Sequence, residues 1–269
     1  MKEKKYSRSP GRKNIRSKPR KSEKKEKITD TGLTRLNKLI AGSGICSRRE
    51  ADKLIEAGLV TVNGKVITEL GVKVSTTDDI RYNGERIKSE KPVYILLNKP
   101  KDYITTVKDK HAERTVMSII GNACRERIFP VGRLDKNTTG VLLLTNDGKL
   151  TKTLTHPSHN KKKIYHITLD KNLNGNDFTK ILEGFELEDG FISADALSYT
   201  DASDKKKVGI EVHSGRNRIV RRLFESLGYK VRKLDRVYFA GLTKRGLQRG
   251  QWRFLTQKEV NMLKMGAYE

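Results

Sequence analysis

Two short apolar runs, Val93-Tyr94-Ile95-Leu96-Leu97 and Val141-Leu142-Leu143-Leu144, constrain the fold more than any other feature of the chain. Each is the length of a buried strand, and no stretch approaches the ~18 consecutive apolar residues that a membrane helix needs. Apolar patterning predicts strands at 141–145, 164–169, 208–212 and 231–239, with helices near 176–184 and 216–227. These elements do not alternate as regular βα units, so a doubly wound parallel sheet is excluded. The expectation is an α+β fold whose larger unit, residues 92–269, is built on a mixed, mainly antiparallel sheet. No repeat of 20–50 residues is present, which excludes solenoids.

A smaller unit precedes it, expected over residues 33–84 and joined by a polar linker at 85–91. Thr34 is expected to cap a short helix carrying Leu36, Leu39 and Ile40. Ser47 and Glu50 have the spacing of a capping box, opening a helix with Ala51, Leu54 and Ile55 on one stripe. Asn63-Gly64 and Asn83-Gly84 are hairpin dipeptides. Two helices followed by a small hairpin sheet, in LTRLNKLIAGSGICSRREADKLIEAGLVTVNGKVI, resemble the S-four-type RNA-binding domain. Arg48 and Arg49 stand at a helix N-terminus, where backbone N–H groups also attract phosphate, and are expected to contact RNA.

Charge points the same way. The chain carries 57 Lys+Arg against 32 Asp+Glu, a formal net charge of +25. Residues 1–30 hold 13 basic and 4 acidic residues with almost no aliphatic side chains, so residues 1–32 are expected to form a disordered basic tail. The two cysteines and five histidines show neither CxxC nor HExxH spacing. No disulfide framework or metal site is expected, and a reducing cytoplasm is the expected location. GxGxxG and GxxxxGK[ST] are also missing, so no cofactor is expected.

The most informative segment is FPVGRLDKNTTGVLLLTNDG, residues 129–148, where a glycine- and threonine-rich loop places Arg133 and Asp135 two residues apart at the mouth of an apolar strand. On its own, an Arg-x-Asp pair of this kind reads more readily as a structural ion pair than as a catalytic one. The segment resembles the signature of the pseudouridine synthases that modify ribosomal RNA, in the branch with an N-terminal S-four-type domain. The resemblance implies that Asp135 is the catalytic residue. Asp147, by contrast, is accounted for by turn chemistry in Asn-Asp-Gly.

Further segments match in the same order. Tyr94-Ile-Leu-Leu-Asn-Lys-Pro100 resembles the family's first motif, with Asp102 where a glycine is usual, and Lys99 is expected on RNA. Lys163-Ile-Tyr165 resembles the region whose tyrosine packs on the target base. Gly215-Arg-Asn-Arg-Ile-Val-Arg-Arg-Leu-Phe224 resembles the last motif and implies that Arg221 pairs with Asp135, keeping it ionised and oriented. Its pattern puts Ile219, Val220, Leu223 and Phe224 on one stripe and Arg218, Arg221 and Arg222 on the other side. Arg133, Arg216, Arg218 and Arg222 are expected to bind RNA.

The implied reaction detaches uracil from its ribose, turns it and reattaches it through carbon. Asp135 acts either as nucleophile or as the base that takes a sugar proton, and the sequence leaves both routes open. Tyr165 stacks on the flipped base and assists removal of the C5 proton. The C-terminal pattern looks closest to enzymes acting on 23S rRNA, with the 16S enzyme as runner-up and no obligatory protein partner. Two other readings stay open: a non-catalytic ribosome-assembly factor, and an RNA methyltransferase, which would need a glycine-rich cofactor loop.

Overall fold

Helices Leu36–Gly42 and Arg48–Glu56 pack on a four-stranded antiparallel sheet. A computed structural model describes residues 32–107 and 114–268; the expected tail, apart from Gly32, lies outside the described residues. In the second helix the Ser47 hydroxyl accepts from Glu50 N, and the Glu50 carboxylate accepts from Ser47 N at 2.7 Å. This is the capping box expected from the spacing. Asn63 and Gly64 have φ of 51° and 80°, Asn83 and Gly84 49° and 82°, the left-handed pairs that a two-residue hairpin turn requires. Leu36, Ile40, Ala51, Ile55, Val60 and Ile80 form a separate small core.

Two expectations change here. Thr34 does not cap the first helix, because Thr34–Arg35 is itself a short strand paired with Lys73–Val74, and Arg35 takes the cap position without a side-chain bond. The linker expected at 85–91 begins inside the sheet, since the Asn83-Gly84 turn sends Glu85–Arg86 back along Ile80–Tyr82.

The larger sheet runs Ala196–Tyr199, Lys207–Val212, Lys163–Leu169, Val231–Phe239, Thr138–Thr145, Tyr94–Lys99, Trp252–Phe254. Its pairings are antiparallel except where Val231–Phe239 runs parallel to Thr138–Thr145. All six residues of Tyr94–Lys99 are buried, which explains why its Tyr94–Leu97 part reads as an unbroken apolar run rather than as an alternating one. Ile167, Val208 and Ile210 meet the helix Ile219–Glu225 in one core cluster. Leu96, Val141 and Leu143 meet Val260 and Leu263 of the helix Gln257–Met265 in another.

Two details of this sheet set up the site. Between Ile164 and Tyr165 the register against Val231–Phe239 shifts, so that Ile164 faces Tyr238 and Tyr165 faces Arg236. Such bulges re-aim side chains. Arg236 in turn stands beside Gly140 on the parallel side. A Cβ on Gly140 would lie 2.1 Å from the Arg236 carbonyl oxygen, so only glycine lets the two backbones come this close.

Candidate active site

Asp135 sits in a loop pinned from three directions. Lys99, fully buried, donates from Nζ to the carbonyl oxygens of Thr138 at 2.9 Å, Asp135 at 3.1 Å, Lys136 at 3.2 Å and Pro100 at 3.2 Å. Asp102 N donates to Lys136 O at 2.9 Å, and Thr105 Oγ1 to Leu134 O at 2.7 Å. Asp102 holds φ 70°, a conformation that explains why glycine suits this position. The next turn ends at Thr138, whose N donates to Asp135 O at 3.0 Å. Burial pushes the Lys99 ammonium down to about 8, with Asp135 and Asp102 pulling the other way. Lys99 therefore does not face RNA as expected: it is spent inside the protein, holding the loop that presents Asp135.

That loop forms one wall of a cavity of about 160 Å³, with Tyr165, Lys163 and Arg236 on other walls. Tyr165 is half-buried, with Ile167 and Leu169 of its own strand buried in the core. Lys163 Nζ donates to Lys161 O and His213 O at 2.8 Å each, and burial with the nearby Arg236 charge pushes it down to about 8. Arg221, 8% exposed, lies behind the cavity wall and donates from Nη1 to Val231 O at 2.9 Å. Burial lowers its pKa, the Arg218 charge adds to this, and Asp135 opposes it. Among the described residues no ion pair within 4 Å joins Asp135 to Arg221 or to Arg133, so the Arg-x-Asp spacing does not make a structural salt bridge.

The arginine-rich segment differs from its sequence reading. The helix starts at Ile219 and not at 216, with Arg218 at its cap in the left-handed region, φ 48°. Arg221 is buried with the apolar stripe because the Val231 carbonyl on the neighbouring strand receives its guanidinium. Arg216 and Arg222, expected on RNA, bind the hairpin Phe185–Ile192 instead. Arg216 donates to Asp189 O, Gly190 O and Phe191 O at 2.8–2.9 Å. Arg222 pairs with Asp189 at 2.7 Å. Arg133 is exposed and lines the cavity, Arg218 lines it while pairing with Glu225 at 3.5 Å, and Arg48 and Arg49 are exposed on the small unit. Asp147 is more than a turn residue, because its carboxylate caps the helix Gly148–Thr155 and accepts from the Tyr94 hydroxyl at 2.9 Å.

Residues 93–226 match the RNA pseudouridylate synthase family, and residues 34–80 match the S4 domain. Ribosomal large subunit pseudouridine synthase B of Bacillus subtilis (strain 168) is 44% identical over 237 residues, covering 86% of this chain and 96% of its own. The chain belongs to the RNA pseudouridine synthase family. Its S4 domain places the synthase in the branch that carries this module at the N-terminus. Dual-specificity RNA pseudouridine synthase RluF of Escherichia coli O6:H1 is 35% identical over 229 residues, covering 84% of the synthase and 77% of RluF. A crystal structure of a pseudouridylate synthase superposes with a TM-score of 0.61 at 29% identity, over 85% of this chain and 99% of that one.

One residue of this synthase's cavity was not singled out from sequence. Arg236 is 3% exposed and lines the cavity. Its signal was available in the pattern of the strand, since Leu234 and Arg236 alternate inward and only one of them is apolar. A charge at an inward strand position is rare enough to mark a site.

Proposed function

We propose that this synthase converts one uridine of ribosomal RNA to pseudouridine, on the 23S rRNA of the large subunit, with Asp135 as its catalytic residue. The observation that carries the reading is the cavity itself: Asp135, on a pinned loop, and Tyr165 line one space of about 160 Å³, with the Arg221 charge near enough to act on Asp135. The Bacillus subtilis relative, named as a large-subunit enzyme and aligned over almost its full length, supports the 23S assignment.

The geometry fits the chemistry stepwise. A uridine swung out of its helix enters the cavity and stacks on the Tyr165 ring. Asp135 acts at the sugar, as nucleophile or as the base that takes a proton, and Lys99 fixes its loop so that little reorganisation is needed as charge moves. Arg221 supplies a positive charge behind the carboxylate, at longer range than an ion pair. Residues 33–84 deliver the RNA through Arg48 and Arg49, with Arg133 and Arg218 at the cavity rim. Residues 92–269 hold the chemistry. The separate core of the small unit and its own sheet support this division, and the cytoplasm, where ribosomes are assembled, is its place of action.

Pseudouridine mapping of both rRNAs from a strain lacking the protein, with and without complementation, tests the assignment. Loss of a single 23S signal, restored by wild type and not by Asp135→Asn, is expected. A lost 16S signal would move the target to the small subunit, and full restoration by Asp135→Asn would leave only an RNA-binding factor.

A further inference from the structure

Two buried guanidiniums near the cavity carry an N–H with no partner among the described residues, Nε of Arg221 and Nη2 of Arg236. Arg221 already has a role beside Asp135. Arg236 has none, and it is more deeply buried, 3% exposed against 8%. Its Nε donates to Val141 O at 2.9 Å, its guanidinium lies 4.5 Å from the Phe239 ring centroid, and Tyr165 stands opposite it in the sheet. Burial lowers its pKa, and the Tyr165 hydroxyl counters this. No carboxylate forms an ion pair with it among the described residues. A buried cation without a counter-charge is a standing cost to folding, and an unmet buried donor calls for an explanation.

The reaction supplies an anion at this place. When C1′–N1 breaks, the bonding pair stays with N1, and the base leaves as an anion delocalised over N1, O2 and O4. C1′ is satisfied either by an Asp135 oxygen or by loss of the 2′ proton to that carboxylate. After the base turns, C5 supplies the pair for the new C1′–C5 bond, the Asp135 link or proton transfer is reversed, and the C5 proton is exchanged for one on N1. Atoms and electrons balance without a further reactant.

We propose that Arg236 is a second catalytic residue of the synthase: its free N–H binds a carbonyl oxygen of the uracil and neutralises the charge that the base acquires as it leaves ribose. The proposal rests on the reading of the Asp135 cavity as the active site. Lys163 is a poorer candidate, because its ammonium already serves two backbone carbonyls. A preorganised cation in a closed site is where such charge is best stabilised.

The test uses full-length enzyme and rRNA transcripts carrying either uridine or 5-fluorouridine, whose base is the more acidic and so leaves more easily. Single-turnover rates are read on both transcripts as disappearance of the starting nucleoside, by chromatography of the digest, because C5 of the fluorinated base has no proton to lose and its C5-linked product is not pseudouridine; RNA affinity is read by filter binding. Arg236→Met is expected to slow uridine conversion by about 100-fold with RNA Kd changed by less than about 3-fold. On 5-fluorouridine the loss is expected to shrink to about 10-fold or less, and Arg236→Lys, which keeps the charge, to fall between. If Arg236→Met does not melt cooperatively, Arg236→Gln, a donor without charge, takes its place in the same comparison. Equal losses on both transcripts, or a loss confined to Kd, would overturn the proposal. Asp135→Asn is expected to stop both substrates. Turnover by that variant would remove the active-site reading itself, whatever Arg236 does.

Discussion

Gly140→Ala tests whether the close approach of the two central strands builds the site. The added Cβ would fall 2.1 Å from Arg236 O, 2.8 Å from Arg236 C and 2.5 Å from an Asp235 carboxylate oxygen, and the residue holds φ +108°. The first two are backbone atoms, so no side-chain rotation relieves them. Overpacking costs roughly 1–3 kcal/mol and a non-glycine residue in such a conformation roughly 1–3 kcal/mol more. A central value of about 4 kcal/mol lowers Tm by roughly 8–16 °C, at ~2–4 °C per kcal/mol for a chain of this size. Gly148→Ala is the control, because nothing lies within 4 Å of its Cβ and it opens a helix. There alanine is neutral or stabilises by up to about 1 kcal/mol. Thermal melts by circular dichroism, with turnover measured at a temperature where both variants are folded, read the outcome. The expected pattern is a large Tm drop and lost turnover for Gly140→Ala alone. A melt within about 2 °C of wild type would show that the strands can part freely, and the account of the site would fail.

Other predictions follow from named groups. Lys99→Met is expected to reduce kcat far more than it changes RNA affinity, because three carbonyls of the Asp135 loop, those of Asp135, Lys136 and Thr138, lose their donor. Its pH signature has a definite sign. With the folded pKa near 8 and the unfolded one near 10.5, the unfolded chain binds more protons between these values, so wild type gains stability relative to Lys99→Met as pH rises from about 8 to 10.5; urea midpoints across that range show whether it does. Glu259 accepts from both terminal nitrogens of Arg253, at 2.7 and 2.8 Å, and from Thr256 N, which holds its pKa at about 2. Its contribution is present above the unfolded value of 4.5 and fades as pH falls toward 2, so Glu259→Gln should lower Tm at pH 7 and be indistinguishable from wild type near pH 2. Deleting residues 1–30 removes a net +9 and is expected to flatten the salt dependence of RNA binding while turnover persists; an unchanged slope counts against a role for that charge.

What the sequence revealed divides by range of interaction. The Ser47/Glu50 capping box and the two Asn-Gly turns depend on neighbours within three residues, so their pattern was sufficient. The strands at 164–169, 208–212 and 231–239 were legible from apolar patterning. Lys99, Arg216 and Arg222 were read as cations for RNA because composition shows a charge and not its partner. The partners are carbonyls 36–39 residues away for the Asp135 loop, and Asp189 about 30 residues away for the two arginines. Arg221 was placed on the outer face of a helix by periodicity, and a strand carbonyl ten residues on draws it inside. Asp135 was found by resemblance, and its surroundings required the fold.

The parallel contact between Thr138–Thr145 and Val231–Phe239 also sets a timetable for synthesis. A ribosome making this protein finishes the Asp135 loop and Tyr165 long before it makes Arg236, and Trp252–Phe254 must then cross to the far edge beside Tyr94–Lys99. Until those last strands emerge, the nascent chain holds an open sheet edge where its cavity will be. The S4 unit, made first and closed by local pairings, is ready to hold RNA while the rest of the enzyme cannot yet act on it.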